Sequence, residues 1–375
     1  MKQPTPTVLE ASQVLVCPGG STPRRGAAMS NIGLISDGAV AIQDGHVEAV
    51  GTRQELSARF PTAPRESYAG HVLTPGFVDS HTHAVFGRYR LDEYEMRCSG
   101  VPYMEIARRG GGINASVLDL RQRSEDELVE LSLPRLRLLV EHGTTTVEVK
   151  SGYGLTLDDE LKMLRVIQRL AREEWIDIVP TFLGAHSFPP EYRDRREEYV
   201  RLITRDMIPA VAASGLAVYC DVFLEPGVFT PDETRQILQA AIDHDLVPRI
   251  HADEFESSGG AELAAQFGAA SADHLGAISE AGIDALAASN TVATLLPGTL
   301  FFLGKSNYPP ARQLIDRGAA VALATDFNPG SSPTVNLQVV MSIACSVLHM
   351  SPAEAFVAAT ANGAAALRLE DGRGT

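Results

Sequence analysis

Positive charge is scarce in this sequence. Lys and Arg number 32 against 47 Asp and Glu, which leaves a net charge of −15 over 375 residues and a pI near 5.1. A field of that sign argues against nucleic acid and anionic membranes as partners. An anionic substrate would have to be met by a few local arginines. Cysteine is sparse too: Cys17, Cys98, Cys220 and Cys345 lie far apart and form no CxxC pair, which disfavours a thiolate zinc site or a redox motif. A chain of this length needs no disulfide framework, so a reduced, cytoplasmic setting is expected. No run of 18 apolar residues occurs, and the opening MKQPTPTVLEASQ lacks the apolar stretch of a secretory leader. No GxGxxG follows an early strand, which weakens a dinucleotide-binding reading. No internal repeat or low-complexity segment appears beyond Gly110-Gly111-Gly112.

What is present is an ordinary globular composition, 45% apolar and 21% charged. The length suits one large α/β domain with an appendage. The stretch GAVAIQDGHVEAVG alternates apolar and polar residues around Asp44-Gly45, a strong hairpin signal. Val40, Ile42, Val47 and Val50 are expected on its buried side, and a polar, proline-broken segment follows over residues 59–70. Residues 1–72 therefore read as the N-terminal part of a small β-sandwich domain.

From residue 73 the pattern changes to short apolar runs alternating with helical stretches. Eight runs read as strands: LTPGFVDSHTH, TTTVEVK, IVPTFLGAH, AVYCDVFLE, VPRIHADE, SADHL, VATLLPG and AVALATD. Thr230-Pro231-Asp232-Glu233 and Ser351-Pro352-Ala353-Glu354 are capping boxes with proline at the first helical position. Thr156 to Asp159 and Ser124 to Glu127 share the spacing, and Leu157, Leu161, Leu164 and Ala171 fall on one predicted helical face. This is the size and rhythm of a (β/α)8 TIM-type barrel over 73–366, with an open doubly wound sheet as the alternative.

The polar residues at the strand ends converge. His81-Thr82-His83 closes the first run, and residues two apart on a strand face the same way, so both imidazoles can reach one metal. His186 closes the third run, Glu225 the fourth, His251 and Glu254 the fifth, His274 the sixth and Asp326 the eighth. In a barrel these positions share the C-terminal mouth, where active sites of this fold lie. A single histidine on an apolar strand is ordinarily a core residue; five of the chain's ten reaching one rim are harder to explain that way. Three imidazoles and a carboxylate suit zinc or iron, and a divalent metal can generate a hydroxide nucleophile at neutral pH. Asp326 is placed to take the water's proton and pass it to a leaving group. Hydrolysis is the reaction this set points to.

With those residues in view, the sequence resembles the amidohydrolase superfamily. The matching segments are SHTHAVFGRYRLDEYEMR, GGGI, TTTVEVKSGYGL, FLGAHSFPPEY, CDVFLE, HADEFESSGG, SADHL and LATDFNPGSSP, spanning about Pro75 to about Leu369. HTH is shared across the superfamily; SGYG, GAHSFP and DFNPGS are specific to the branch that opens an imidazolone ring. The resemblance implies hydrolysis of the cyclic amide C–N bond of 4-imidazolone-5-propanoate to N-formimidoyl-L-glutamate in histidine degradation. It implies that His81, His83, His251 and Asp326 hold one zinc or iron ion per chain. Asp326, Glu254 and His274 would be the catalytic residues: Asp326 shuttling the proton, Glu254 hydrogen-bonding the ring or the water, His274 polarising the opposite side. Arg90, Tyr153, His186, Glu254, Asn328, Gly330 and Ser331 would bind the substrate. Arg90 is also placed by its own chemistry to meet the propanoate, with Arg88 two residues away able to share that contact. Glu225 reads as a supporting residue, although fourth-strand carboxylates bridge a second metal in some members. A homodimer is the default oligomer.

The resemblance further implies strands beyond Thr375 that return to the small domain, with residues 367–375 beginning that return and the sandwich left incomplete. Two other readings compete. A purine or pyrimidine deaminase would share the metal ligands and differ at Arg90, Tyr153 and the 328–331 loop. A catalytically dead scaffold would lack the ligand histidines that are present here.

Overall fold

A computed structural model of the chain describes residues 6–18, 22–101, 105–106, 110–173, 175–369 and 373–374. Eight short parallel strands form one continuous sheet in chain order: β5 (Phe77–Asp79), β6 (Thr144–Lys150), β7 (Asp177–Ala185), β8 (Tyr219–Leu224), β9 (Val247–Ala252), β10 (Ser271–His274), β11 (Val292–Leu295) and β12 (Val321–Leu323). Each coincides with one of the eight apolar runs, β7 starting one residue earlier at Asp177. They are buried on both faces, as parallel strands covered by helices must be. The ring closes beyond the strands proper. Thr82 bridges Phe327 in parallel, the His83 amide donates to the Phe327 carbonyl (2.8 Å), and the Asp326 amide donates to the His81 carbonyl (3.0 Å). The barrel is thus sealed by the residues that the sequence places at its mouth.

The helices between strands start where their caps predict. Ser124, Thr230 and Ser351 each form a capping box, and the Thr156 hydroxyl accepts from the Asp159 amide. The inner face of the helix Leu157–Leu170 differs from the expected one. Its buried stripe is Glu160, Met163, Leu164, Val166, Ile167 and Leu170, while Leu157 and Leu161 are half-buried and Ala171 is exposed. The periodicity missed Glu160, a carboxylate drawn inward by the backbone amides of residues 152, 154 and 155.

The N-terminal segment forms a four-stranded sheet in the order β3-β2-β1-β4: β1 (Thr7–Val14), β2 (Ile35–Gln43), β3 (His46–Thr52) and β4 (Arg65–Leu73). The expected hairpin turns at Asp44-Gly45, both with positive φ (52° and 78°), as a tight two-residue turn with the right twist requires. The predicted side is covered on one strand only. Val40 is buried and Ile42 half-buried, but Val47 and Val50 are 60% and 38% exposed. The helix Arg53–Arg59, launched by a capping box at Thr52, folds over the opposite face and buries Ala39 and Ala41 with Val8 and Leu56. Alternation separates two faces; the helix decides which is covered. A linker ties this sheet to the barrel, where the Asn362 carboxamide accepts from the Arg24 amide (2.7 Å) and donates to the Arg24 and Val321 carbonyls. Of the expected return segment, residues 370–372 and 375 lie outside the described residues.

Leu56→Ala is expected to destabilise the sheet by about 2–5 kcal/mol, the range for truncating a buried leucine. Val47→Thr should change stability by less than about 0.5 kcal/mol, as exposed substitutions do. The first urea unfolding transition of the two variants checks this ordering.

Candidate active site

Five imidazoles and two carboxylates meet at the barrel mouth. The His81 and His251 rings lie 4.5 Å apart between centroids, and His274 is 5.5 Å from His81 and 5.2 Å from His251. His83 stacks on His186 at 5.0 Å with a 17° tilt. Asp326 Oδ1 stands 3.5 Å from both His81 Nε2 and His83 Nε2. Glu254 Oε1 is 3.6 Å from His274 Nδ1. His274 (φ 81°) and Asp326 (φ 52°) occupy the left-handed region, which L-residues with side chains rarely adopt and which clusters at functional sites.

These residues fit a metal. One nitrogen from each of His81, His83 and His251 lies within 4.8 Å of the others, and one ligand atom from each of His81, His274 and Asp326 does likewise. His81 Nδ1 is hydrogen-bonded to Asp273 Oδ2 at 2.7 Å and His251 Nδ1 to Asp221 Oδ1 at 3.0 Å. Protonated at Nδ1, both rings turn a lone pair at Nε2 into the site, the arrangement of a metal-binding histidine backed by a carboxylate. Both Nε2 atoms are buried with no hydrogen-bond partner. Leaving such atoms unsatisfied costs about 1–3 kcal/mol each, and a cation would satisfy both.

Burial controls the protonation states. It pushes His81, His83 and His274 well below the usual imidazole range, with neighbouring imidazoles acting in the same direction. His186 is pushed down to about 3, chiefly by burial. Neutral rings are what metal ligation and hydrogen-bond acceptance need. Burial also raises Asp326 to about 6, against a 2.5 Å hydrogen bond from the Thr299 hydroxyl. Glu254 is held well above the ordinary carboxyl range by burial and then by the Asp326 charge.

The residues expected to bind substrate surround this cluster. The Tyr153 ring is 5.9 Å from His83 and 5.3 Å from His186. His186 Nδ1 lies 2.9 Å from the Gly152 carbonyl, which makes Nδ1 the protonated nitrogen and Nε2 an acceptor. Arg90 donates through Nη1 to Ser116 Oγ (2.7 Å) and through Nε to Glu93 Oε2 (3.2 Å). Its backbone amide donates to the Pro329 carbonyl, and its guanidinium packs against Gly330, where a Cβ would fall 1.9 Å from Nη2. Asn328 Oδ1 accepts from the amides of Gly330 and Ser331, and its Nδ2 donates to the Asp326 carbonyl; its carboxamide is engaged by its own loop. Arg88 is exposed, with its amide on Asp119. Glu225 accepts from the amides of Glu254, Phe255 and Glu256, which places it beneath the Glu254 loop.

Several residues around the site went unrecognised in the sequence. Glu148, Lys150, Asp221, Arg249 and Asp273 are fully buried below the imidazoles. Their signal was there to use: each is a charge inside an apolar strand run. Thr299 carries no such signal, because it lies on the short helix Pro297–Phe302 and reaches Asp326 only in space.

Residues 72–375 match the family model of the amidohydrolase family, and residues 38–63 match an imidazolonepropionase-like composite domain of bacteria. An imidazolonepropionase from Geobacillus thermodenitrificans is 49% identical over 365 residues, covering 96% of this chain and 86% of its own length. One from Brevibacillus brevis is 46% identical over 366 residues, with the same coverage. The chain belongs to the amidohydrolase family, in its imidazolonepropionase branch. Among solved structures, E. coli guanine deaminase aligns with a TM-score of 0.72 at 16% identity, covering 100% of this chain and 86% of its own. The 5-methylcytosine deaminase of Klebsiella pneumoniae gives 0.69 at 17%, covering 98% and 88%. At such identities the likeness extends to the amidohydrolase fold. No helix among the described residues is long and apolar enough to cross a membrane.

Metal content is the direct check on the ligand set. His81→Ala should lower metal per chain well below the parent, measured by elemental analysis. His142→Ala, at the exposed end of the helix Glu125–Glu141, should leave it unchanged. Full metal in the His81 variant would place the site elsewhere.

Proposed function

We propose that this chain hydrolyses the ring of 4-imidazolone-5-propanoate to N-formimidoyl-L-glutamate, a step of histidine degradation. The observation that carries this reading is the placement of Arg90 on the Gly330 loop that follows Asp326. In a protein of net charge −15, it sets a largely buried guanidinium beside a hydrolytic centre, where a carboxylate-bearing ring can be held by its arm. The imidazolonepropionase relatives support the same substrate.

His81, His83, His251 and Asp326 would hold one zinc or iron ion per chain, which would supply Lewis-acid activation of water near neutral pH. Asp326 takes the water's proton as the water oxygen bonds to the ring carbonyl carbon, and delivers it to the ring nitrogen as the C–N bond breaks, so that no ammonia is released. Glu254 hydrogen-bonds the ring or the attacking water from its position beside His274, which polarises the opposite side. His186 accepts a ring N–H through Nε2, and Tyr153 packs against it. Arg90 takes the propanoate, with Asn328, Gly330 and Ser331 forming the loop around it. The reading carries with it a homodimeric state, a cytoplasmic setting and a β-sandwich over 1–72 joined to a barrel over 73–366.

An ultraviolet assay with freshly generated imidazolone propanoate, combined with ammonia detection, tests the reaction. Loss of the imidazolone chromophore without ammonia is expected; ammonia release would indicate a deaminase. Arg90→Met should raise KM by roughly 10- to 150-fold, from about 1.5–3 kcal/mol of arginine–carboxylate contact, with metal content intact. An unchanged KM would remove Arg90 from the binding set.

Asp326→Asn separates proton transfer from substrate binding. At matched metal content, kcat should fall by about 10²–10⁴-fold, the range for one general acid/base group, with KM changing much less. Near-parental kcat in that variant, with collapse in Glu254→Gln, would move the proton-transfer role to Glu254.

A further inference from the structure

Beneath the imidazoles lies a layer of charge for which hydrolysis itself has no use. Lys150 and Arg249 are both fully buried, together with Glu148, Asp221 and Asp273. Lys150 Nζ sits 2.7 Å from Asp221 Oδ2 and 2.8 Å from Glu148 Oε1. Asp221 presents its other oxygen to His251 Nδ1 at 3.0 Å. Glu148 presents its other oxygen to the amide of Thr82 at 3.1 Å, the residue between His81 and His83. Arg249 backs the other ring through a single shared oxygen. Its Nη2 donates to Asp273 Oδ2 (3.1 Å), the atom that holds His81 Nδ1, and to the carbonyl of Ser80 (2.7 Å). Each cation therefore reaches the β5 extension that carries His81 and His83, and each backs the carboxylate behind a different ring.

Buried ion pairs are poor stabilisers, since apolar groups of similar volume often serve stability as well or better. Fixed partners are what they supply. A carboxylate anchored by a cation cannot turn, whether the histidine takes its other oxygen, as at Asp221, or the same one, as at Asp273, and its fixed direction sets the tautomer and the aim of Nε2.

We propose that Lys150 and Arg249 are positioning residues for the metal ligands, Lys150 aiming His251 through Asp221 and Arg249 aiming His81 through Asp273. The inference rests on the ligand set of the proposed function, and its test reads metal binding rather than turnover. The metal dissociation constant of the full-length protein is measured by chelator competition. The visible spectrum of the cobalt(II)-loaded form reports ligand geometry, and thermal melting of the metal-free form reports the fold.

Lys150→Met and Arg249→Met are each expected to weaken metal binding by about 10- to 100-fold, the usual effect of losing an outer hydrogen-bond partner, and to shift the cobalt spectrum. Lys150→Met combined with Asp221→Asn removes the cation together with the carboxylate it faces, and isosteric Glu148→Gln removes one arm of the bridge. If the single variants do not fold, these two give the answer and should also weaken metal binding. An unchanged dissociation constant and cobalt spectrum in the variants that fold, with only metal-free melting lowered, would overturn the proposal and make the layer structural. A parent protein that takes up no metal, or a His81→Ala variant that binds it undiminished, would instead overturn the ligand assignment.

Discussion

Closure of the barrel between its first and last strands is the constraint on which the rest depends. The parallel bridge from Thr82 to Phe327, with the His83 and Asp326 amides on either side of it, joins segments some 245 residues apart in sequence. It brings Asp326 Oδ1 to 3.5 Å from both imidazoles of the HxH pair. No local preference could do this. Asp326, beside that bridge, holds a left-handed backbone (φ 52°).

Around that ring, buried acceptors hold the loops. Glu160 gathers the amides of Gly152, Gly154 and Leu155 beneath Tyr153. Glu225 gathers those of Glu254 to Glu256, and Asn328 those of Gly330 and Ser331. Glu93 joins the Gly112 amide to the Arg90 guanidinium. A backbone amide shielded from water must find an acceptor, and a single carboxylate that satisfies three fixes the local turn. The functional side chains that sit on loops therefore sit on loops with little freedom, as a preorganised site requires.

Burial then does the electrostatic work. It drives His81, His83, His186 and His274 neutral and raises Asp326 and Glu254. Burial acts in the same direction on Asp221, but there His251 and Lys150 beside it outweigh burial and hold the carboxyl well below the usual range. The two layers of the barrel thus differ in character, with charge fixed below and proton exchange favoured above.

Much of this was legible in the order of residues. Eight apolar runs between capped helices identify a barrel, because strand and helix periods are local properties of sequence. His81, His83, His251, His274 and Asp326 could be read as one site because the C-terminal ends of barrel strands share a rim. Other features depended on what packs against what. Alternation in the hairpin could not say that the helix Arg53–Arg59 would cover Ala39 and Ala41 and leave Val47 in solvent. Apolar spacing could not find Glu160, since a carboxylate on a buried face is explained only by the amides it meets. The link from Lys150 through Asp221 to His251 spans three strands. The sequence alone determined which groups reach the mouth of the barrel. Only the tertiary structure decided which way they point, because orientation is set by partners distant in the chain and adjacent in the fold.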